Sequence, residues 1–180
     1  MDILNGIAPN IIEKAKNIKA IIFDVDGVLT DGAITYTNSG DEIKSFNVKD
    51  GQIISHLKKA GIVVGAVTGR SSELVKRRCE ELKLDFCEQG VSDKFQLISL
   101  LVVKFNLTLN EVAYIGDDII DLRVIKHVGL SAAPNDALSY VKDEADLITK
   151  LDGGRGVLRE VADIVLAAQG ILGSIIEDSK

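Results

Sequence analysis

Ile21-Ile22-Phe23-Asp24-Val25-Asp26-Gly27-Val28-Leu29-Thr30-Asp31-Gly32 is the stretch on which the fold turns. The apolar run Ala20 to Phe23 reads as a strand, and a short unbroken run of this kind fits a strand buried on both faces of a parallel sheet. It delivers two carboxylates, one residue apart, to a point where Gly27 and Gly32 let the backbone turn sharply. Carboxylates buried there are costly unless something pairs with them, and a divalent cation is the obvious partner. A lone Asp-x-Asp is more often a turn closing a hairpin, so the rest of the chain has to decide.

Working outward, residues 7–18 predict a short amphipathic helix with Pro9 in its first turn. After the Asp-x-Asp loop, 33–37 and 42–47 alternate around Asn38-Ser39-Gly40-Asp41, a hairpin signal. Asp50 reads as the N-cap of a helix to Lys59 that Gly61 closes. A strand follows at 62–67, then Thr68-Gly69-Arg70 and a helix capped by Ser71 or Ser72 and reaching Leu82. A short strand near 85–87, a helix over 93–105 and a strand at 112–115 lead to Gly116-Asp117-Asp118, with a helix expected over 119–126. Strands at 128–131 and 146–148 and helices near 136–141 and 153–169 complete the pattern. Strands alternating with helices predict an α/β, Rossmann-like parallel sheet flanked by helices, whose ligands gather at the strands' carboxyl ends. No internal repeat, low-complexity segment or linker interrupts it, so residues 1–180 read as one domain.

Asp24 and Asp26, Thr68, Lys94, and Asp117 with Asp118 and Asp121 each follow a predicted strand or open the next helix. In a parallel sheet they converge on one edge. Each has an ordinary explanation alone: Thr68 can end a strand, Lys94 can be a solvated first-turn residue, and Asp117 or Asp118 can be an N-cap. It is their joint order that points to a site.

The run Asp24 to Gly32 resembles motif I of the haloacid dehalogenase superfamily of phosphotransferases. Within it the sequence most resembles the cap-less phosphatases acting on 3-deoxy-D-manno-octulosonate 8-phosphate, over roughly Lys19 to Gly170. The resemblance implies that Asp24 attacks phosphorus to give an aspartyl-phosphate, while Asp26 protonates the leaving oxygen and then activates water. It implies Mg2+ held by the Asp24 carboxylate, the Asp26 backbone carbonyl and Asp117. Thr68 and Lys94 would bind the phosphoryl group, with Asp118 and Asp121 orienting loop amides and Lys94.

The interval from Asp24 to Thr68 already houses the hairpin, a helix and a strand, and that from Thr68 to Lys94 is shorter still. Neither leaves room for a cap domain. The missing wall is expected from a neighbouring subunit through the hairpin flap, about residues 33–46, since an isolated two-stranded ribbon is marginal. The resembling family forms tetramers through such hairpins, which predicts a homotetramer. In the octulosonate phosphatases the segment matching Asn47-Val48-Lys49-Asp50-Gly51 contacts substrate, with Ser55 a turn further on. Arg70 and Arg78, about two helical turns apart, are expected on one helix face, where they could grip a substrate carboxylate. A solvated face explains Arg78 nearly as well, and Arg77 reads as the surface member. Gly153-Gly154-Arg155-Gly156 resembles the family's carboxyl-terminal signature and fits an anion loop or a simple turn. The tail, 170–180, is silent on its conformation.

A net charge of -6 with only 4% aromatic residues excludes a nucleic-acid surface. Cys79 and Cys87 read as thiols in a reducing compartment rather than as a disulfide. With no signal peptide visible and no apolar run of membrane-spanning length, the expected location is the cytoplasm and no membrane partner is implied. The expected function is hydrolysis of the octulosonate 8-phosphate, which in the resembling family feeds lipopolysaccharide assembly. The rival readings are a phosphatase of nonulosonate 9-phosphates (the sialic acid type), a non-catalytic module stabilising a cytidylyltransferase, and a receiver domain. The last would have no use for Asp26.

Overall fold

The computed structural model describes residues 3–178. Its centre is a six-stranded parallel sheet in the order β5-β4-β1-β6-β7-β8. The strands are β1 (Ala20–Phe23), β4 (Val63–Val67), β5 (Phe86–Glu88), β6 (Val112–Ile115), β7 (Leu130–Ala133) and β8 (Leu147–Ile148). The hairpin strands β2 (Thr35–Tyr36) and β3 (Glu42–Ile43) form a separate antiparallel pair. Phe23 lies level with Ala66 of β4 and Ile115 of β6, so these three central strands end at the same height.

The period of two in β1 builds two cores. Ile21 and Phe23 enter one face with Ile53, Ile54 and Leu57 of α2 (Val48–Lys59), Val75 of α3 (Glu73–Glu81) and Val161 and Val165 of α7 (Val157–Ala168). Helix α1 (Pro9–Lys16) adds Ile11 and Ala15 to this face, with proline where an unbonded N–H would otherwise stand. Ala20 and Ile22 enter the other face with Ile98 and Val102 of α4 (Lys94–Lys104) and Val124 of α5 (Leu122–Ile125). Val141 of α6 (Ser139–Lys142) joins them there. Each such aliphatic side chain contributes roughly 1.5–3 kcal/mol on burial, which fixes the sheet's height and hence its carboxyl edge.

Three expectations are corrected. Helix α2 is capped not by Asp50 but by Asn47, whose side chain accepts the Lys49 N–H at 3.0 Å. Asp50 is buried and accepts the Arg159 N–H of α7 at 2.8 Å. It caps that helix because Gly156, at its start, has no side chain to do so. Arg70 is not on a helix with Arg78: it lies in the loop before α3, whose N-cap position is Ser72. The helix expected over 119–126 opens as a 3-10 turn (Ile119–Asp121) because Asp118 and Asp121 form a capping box. In the tail, Leu172–Glu177 forms α8 against α7, and residues 179 and 180 lie outside the described residues. Among the described residues no helix is long and apolar enough to cross a membrane.

Candidate active site

Adjacent strands bring the acidic groups together. Asp24 leaves β1 with its N–H bonded to Ile115 O at 2.9 Å, which locks it beside the end of β6. Asp117 follows β6 by two residues. Lys94 opens α4 and, against the ordinary habit of lysine, is 1% exposed. Its ammonium lies 3.0 Å from Asp24 Oδ2 and 2.7 Å from Asp121 Oδ1. Thr68, also buried, directly follows β4, with its N–H bonded to Glu88 O and its carbonyl accepting the Val91 N–H.

Asp121 is fully spent. Its Oδ2 accepts the N–H groups of Asp117 and Asp118 at 3.0 and 3.2 Å, and its Oδ1 accepts from Lys94 and from the Tyr114 hydroxyl at 2.6 Å. It therefore orients both the loop amides and Lys94. Asp118 is exposed; its carboxylate accepts the Ile119 N–H at 2.6 Å and completes the capping box with Asp121, so it orients the turn's amides but is not bonded to Lys94. Tyr114 is a site residue that reading the sequence does not find. The available signal is a phenol in an otherwise aliphatic buried strand, where its hydroxyl requires a partner.

Asp24, Asp117 and Asp121 each place a carboxylate oxygen within 4.8 Å of the others. Asp117 Oδ1 is buried with no hydrogen-bond partner. Burial, reinforced by the charges of Asp24 and Asp121, pushes the Asp117 carboxyl up to about 8. Burial likewise pushes Asp24 up to about 6, with Lys94 opposing it. Oxygen donors of this density, one of them orphaned, fit a hard divalent cation. With Asp121 engaged, Asp24 and Asp117 are the carboxylates able to hold it. Gly27, at φ +87°, keeps the space open: a Cβ there would stand 2.0 Å from Asp117 Oδ2. Gly153 and Gly154 pack behind this loop, Gly154 donating its N–H to Val28 O at 2.9 Å, so the glycine signature is a buttress of the Asp-x-Asp turn.

The hairpin bends back onto the same edge, which the sequence alone does not reveal. Glu42 and Lys44 alternate with Ile43, so both side chains leave the same face of one arm. The Lys44 ammonium bonds Asp26 Oδ1. Glu42 accepts from Arg70 at 3.0 Å and from the Ser72 hydroxyl at 2.5 Å, a bond that holds its carboxyl below the usual range. Arg70 Nη1 is buried without a partner. Arg78 sits apart from Arg70, over the Phe46 ring at 5.8 Å and 3.5 Å from Glu81, lining a cavity of about 370 Å³ with Lys44, Phe46 and Val48. Arg77 is on the surface, as expected.

Other expected substrate residues are not drawn to Asp24. Gly51 lies against Arg78, where a Cβ would come within 2.7 Å of Nη2. Ser55 is exposed and donates to Gln52 O, while Lys49 lines a cavity with Ile7 and Arg159. Asp50 is committed to α7.

Two aspartates after the first central strand, a buried lysine and an orphaned acid after the neighbouring strand define a haloacid dehalogenase-like hydrolase. The model of that name matches residues 88–161. The 3-deoxy-D-manno-octulosonate 8-phosphate phosphatases of Salmonella typhimurium and Escherichia coli are each 45% identical over 166 residues, 92% of this chain and 88% of theirs. The crystal structure of the Yersinia pestis enzyme of that name superposes with a TM-score of 0.91 at 42% identity, covering 93% of this chain and 90% of that one. That of the Moraxella catarrhalis enzyme, solved with a magnesium ion, a phosphate ion and a KDO molecule, gives 0.92 at 38%, covering 94% and 98%. The chain belongs to the 3-deoxy-D-manno-octulosonate 8-phosphate phosphatase family.

Proposed function

We propose that this protein is a magnesium-dependent phosphatase that hydrolyses 3-deoxy-D-manno-octulosonate 8-phosphate to the free sugar acid and inorganic phosphate, the step the resemblance ties to lipopolysaccharide biosynthesis. One observation carries the reading: the cluster of buried Asp24 and Lys94 with half-buried Asp117, whose Oδ1 is buried and unpartnered, in a chain of that family.

Asp24, ionised above about pH 6, attacks phosphorus, and the bond from phosphorus to the sugar oxygen breaks. Asp26 gives its proton to that oxygen. It then takes a proton from the water that attacks the aspartyl-phosphate, freeing Asp24 and phosphate. Lys94 and the Thr68 hydroxyl hold the phosphoryl oxygens, and Asp121 with Tyr114 fixes Lys94. Magnesium, held by the carboxylates of Asp24 and Asp117 and the Asp26 carbonyl, supplies positive charge against the transferring phosphoryl group.

Arg70, with its unpartnered Nη1, is the group for the substrate carboxylate, and Arg78 lies one cavity away. Asn47, Val48, Lys49, Gly51 and Ser55 would then serve across a subunit boundary. A homotetramer built through the hairpin accommodates this, since Ile34, Tyr36 and Ile43 of the hairpin are 54, 61 and 49% exposed. Free Cys79 and Cys87 suit a cytoplasmic location. The test is phosphate release with magnesium from a panel of sugar-acid phosphates. Turnover of the octulosonate 8-phosphate above all others is expected; preference for a nonulosonate 9-phosphate would overturn the substrate, and no release from any would overturn the reaction. Sedimentation as an active monomer would overturn the tetramer.

A further inference from the structure

The Lys44 side chain is only 1% exposed, although it projects from an otherwise solvent-facing hairpin of two-residue strands. Burying an ammonium costs several kcal/mol unless acids meet it. Here it meets Asp26 Oδ1 and, at 3.6 Å, Glu42 Oε1. Glu42 in turn holds Arg70 at 3.0 Å, and Arg70 Nε lies 3.9 Å from Asp26 Oδ2. Asp26, Lys44, Glu42 and Arg70 thus close a ring in which acidic and basic side chains alternate, half of it supplied by the hairpin. Each oxygen of Asp26 faces a different cation. A short ribbon needs an anchor, but an anchor can lie anywhere along the sheet edge. This one is placed on the proposed acid-base.

We infer that Lys44 is a positioning residue for the reaction: the hairpin sets its ammonium on Asp26 Oδ1, fixing that carboxylate so that Oδ2 exchanges the proton. The inference rests on the proposed function. A carboxylate free to rotate would present its proton to the leaving oxygen only part of the time, and small misplacements of a reacting group cost rate steeply. Lys44 touches neither phosphorus nor the attacking oxygen, so its effect passes through Asp26.

The test compares kcat/KM, which reports steps up to departure of the leaving group, for two esters. The sugar-acid phosphate leaves as an alkoxide and needs a proton; p-nitrophenyl phosphate leaves as a stable phenolate and does not. Lys44→Met should lower kcat/KM on the sugar phosphate on the order of 10²-fold and on the nitrophenyl ester by no more than about threefold. Lys44→Arg should restore most of the difference. An equal loss on both esters in Lys44→Met makes the residue a mere tether and overturns the inference. Should that variant fail to fold, Lys44→Gln is read by the same ratio. Asp24→Asn separates the two failures: if it retains activity the phosphatase reading falls, whereas if it is dead and the ester ratio is unmoved only the Lys44 inference falls.

Discussion

The two ends of the central sheet carry the same kinds of residue and treat them oppositely. At the amino end, ahead of β1, β4 and β6, Lys16, Lys19, Gly61, Thr108 and Glu111 line a cavity of roughly 780 Å³. There Lys19 pairs with Glu111 at 2.5 Å, and that hydrogen bond holds the Glu111 carboxyl down at about 2. At the carboxyl end Asp24 and Lys94 are buried and Asp117 half-buried, and burial drives Asp117 up to about 8. The end with that cavity is thus the electrostatically settled one. Charge that folding leaves uncompensated, not volume, marks the site.

The largest effect should come from removing the attacker. Asp24→Asn is expected to lower phosphate release by at least about 10⁴-fold, as nucleophile losses do. Glu111→Gln at the opposite end should change kcat by less than about twofold, since a surface pair carries no chemistry. Gly27→Ala should be nearly as severe as loss of the attacker, because its Cβ would enter the space of Asp117 Oδ2 from a positive φ. Loss of activity together with loss of magnesium binding, measured calorimetrically, is the expected pair; retained binding would break the steric argument.

The two ends should also answer pH in opposite senses. Asp117, near 8, and Asp24, near 6, bind protons in the folded state that the unfolded chain has released. Their stabilisation is therefore present at acid pH and lost as pH rises from about 4 through 8. Glu111 is shifted down, so its contribution stands above the unfolded value and fades as pH falls toward 2. Thermal unfolding in chelator should show a Tm several degrees lower at pH 8 than at pH 5, and magnesium should remove most of that slope. A Tm that instead climbs from pH 5 to 8 without metal would break the comparison.

A smaller effect lies between the ends. Asp50 is buried and pushed up to about 6, yet it serves as a helix cap rather than a ligand. Asp50→Ala should cost about 1–2 kcal/mol in denaturant unfolding, the usual worth of an N-cap. A loss of activity without loss of stability would instead return Asp50 to the substrate.

This last residue shows where sequence reading stops. Asp24, Asp26, Thr68, Lys94 and Asp117 are legible because each stands at the end of an apolar run or the start of the next helix, and parallel strands of matched height must bring such positions together. Asp50 escapes such reading because the helix it caps is distant in sequence; only the packing of α2 on α7 reveals that Gly156 leaves a donor for it to satisfy. Arg70 is easily set on a helix because the α3 boundary is hard to see; the Ser72 hydroxyl is spent on Glu42 rather than on its own helix. Lys44 is invisible for a different reason. Alternation fixes which face it shares with Glu42, but not which way the ribbon bends.

The most direct measurement is magnesium titration of metal-free protein at pH 7, run in buffers of different ionisation enthalpy. If the orphaned Asp117 carboxyl is the cation's ligand, it is protonated below about 8 and must release that proton on binding. Wild-type protein should bind magnesium with release of close to one proton, and Asp117→Asn should weaken binding by about 10²-fold or more and abolish the release. Undiminished binding in Asp117→Asn, or wild-type binding with no proton released, would contradict the account.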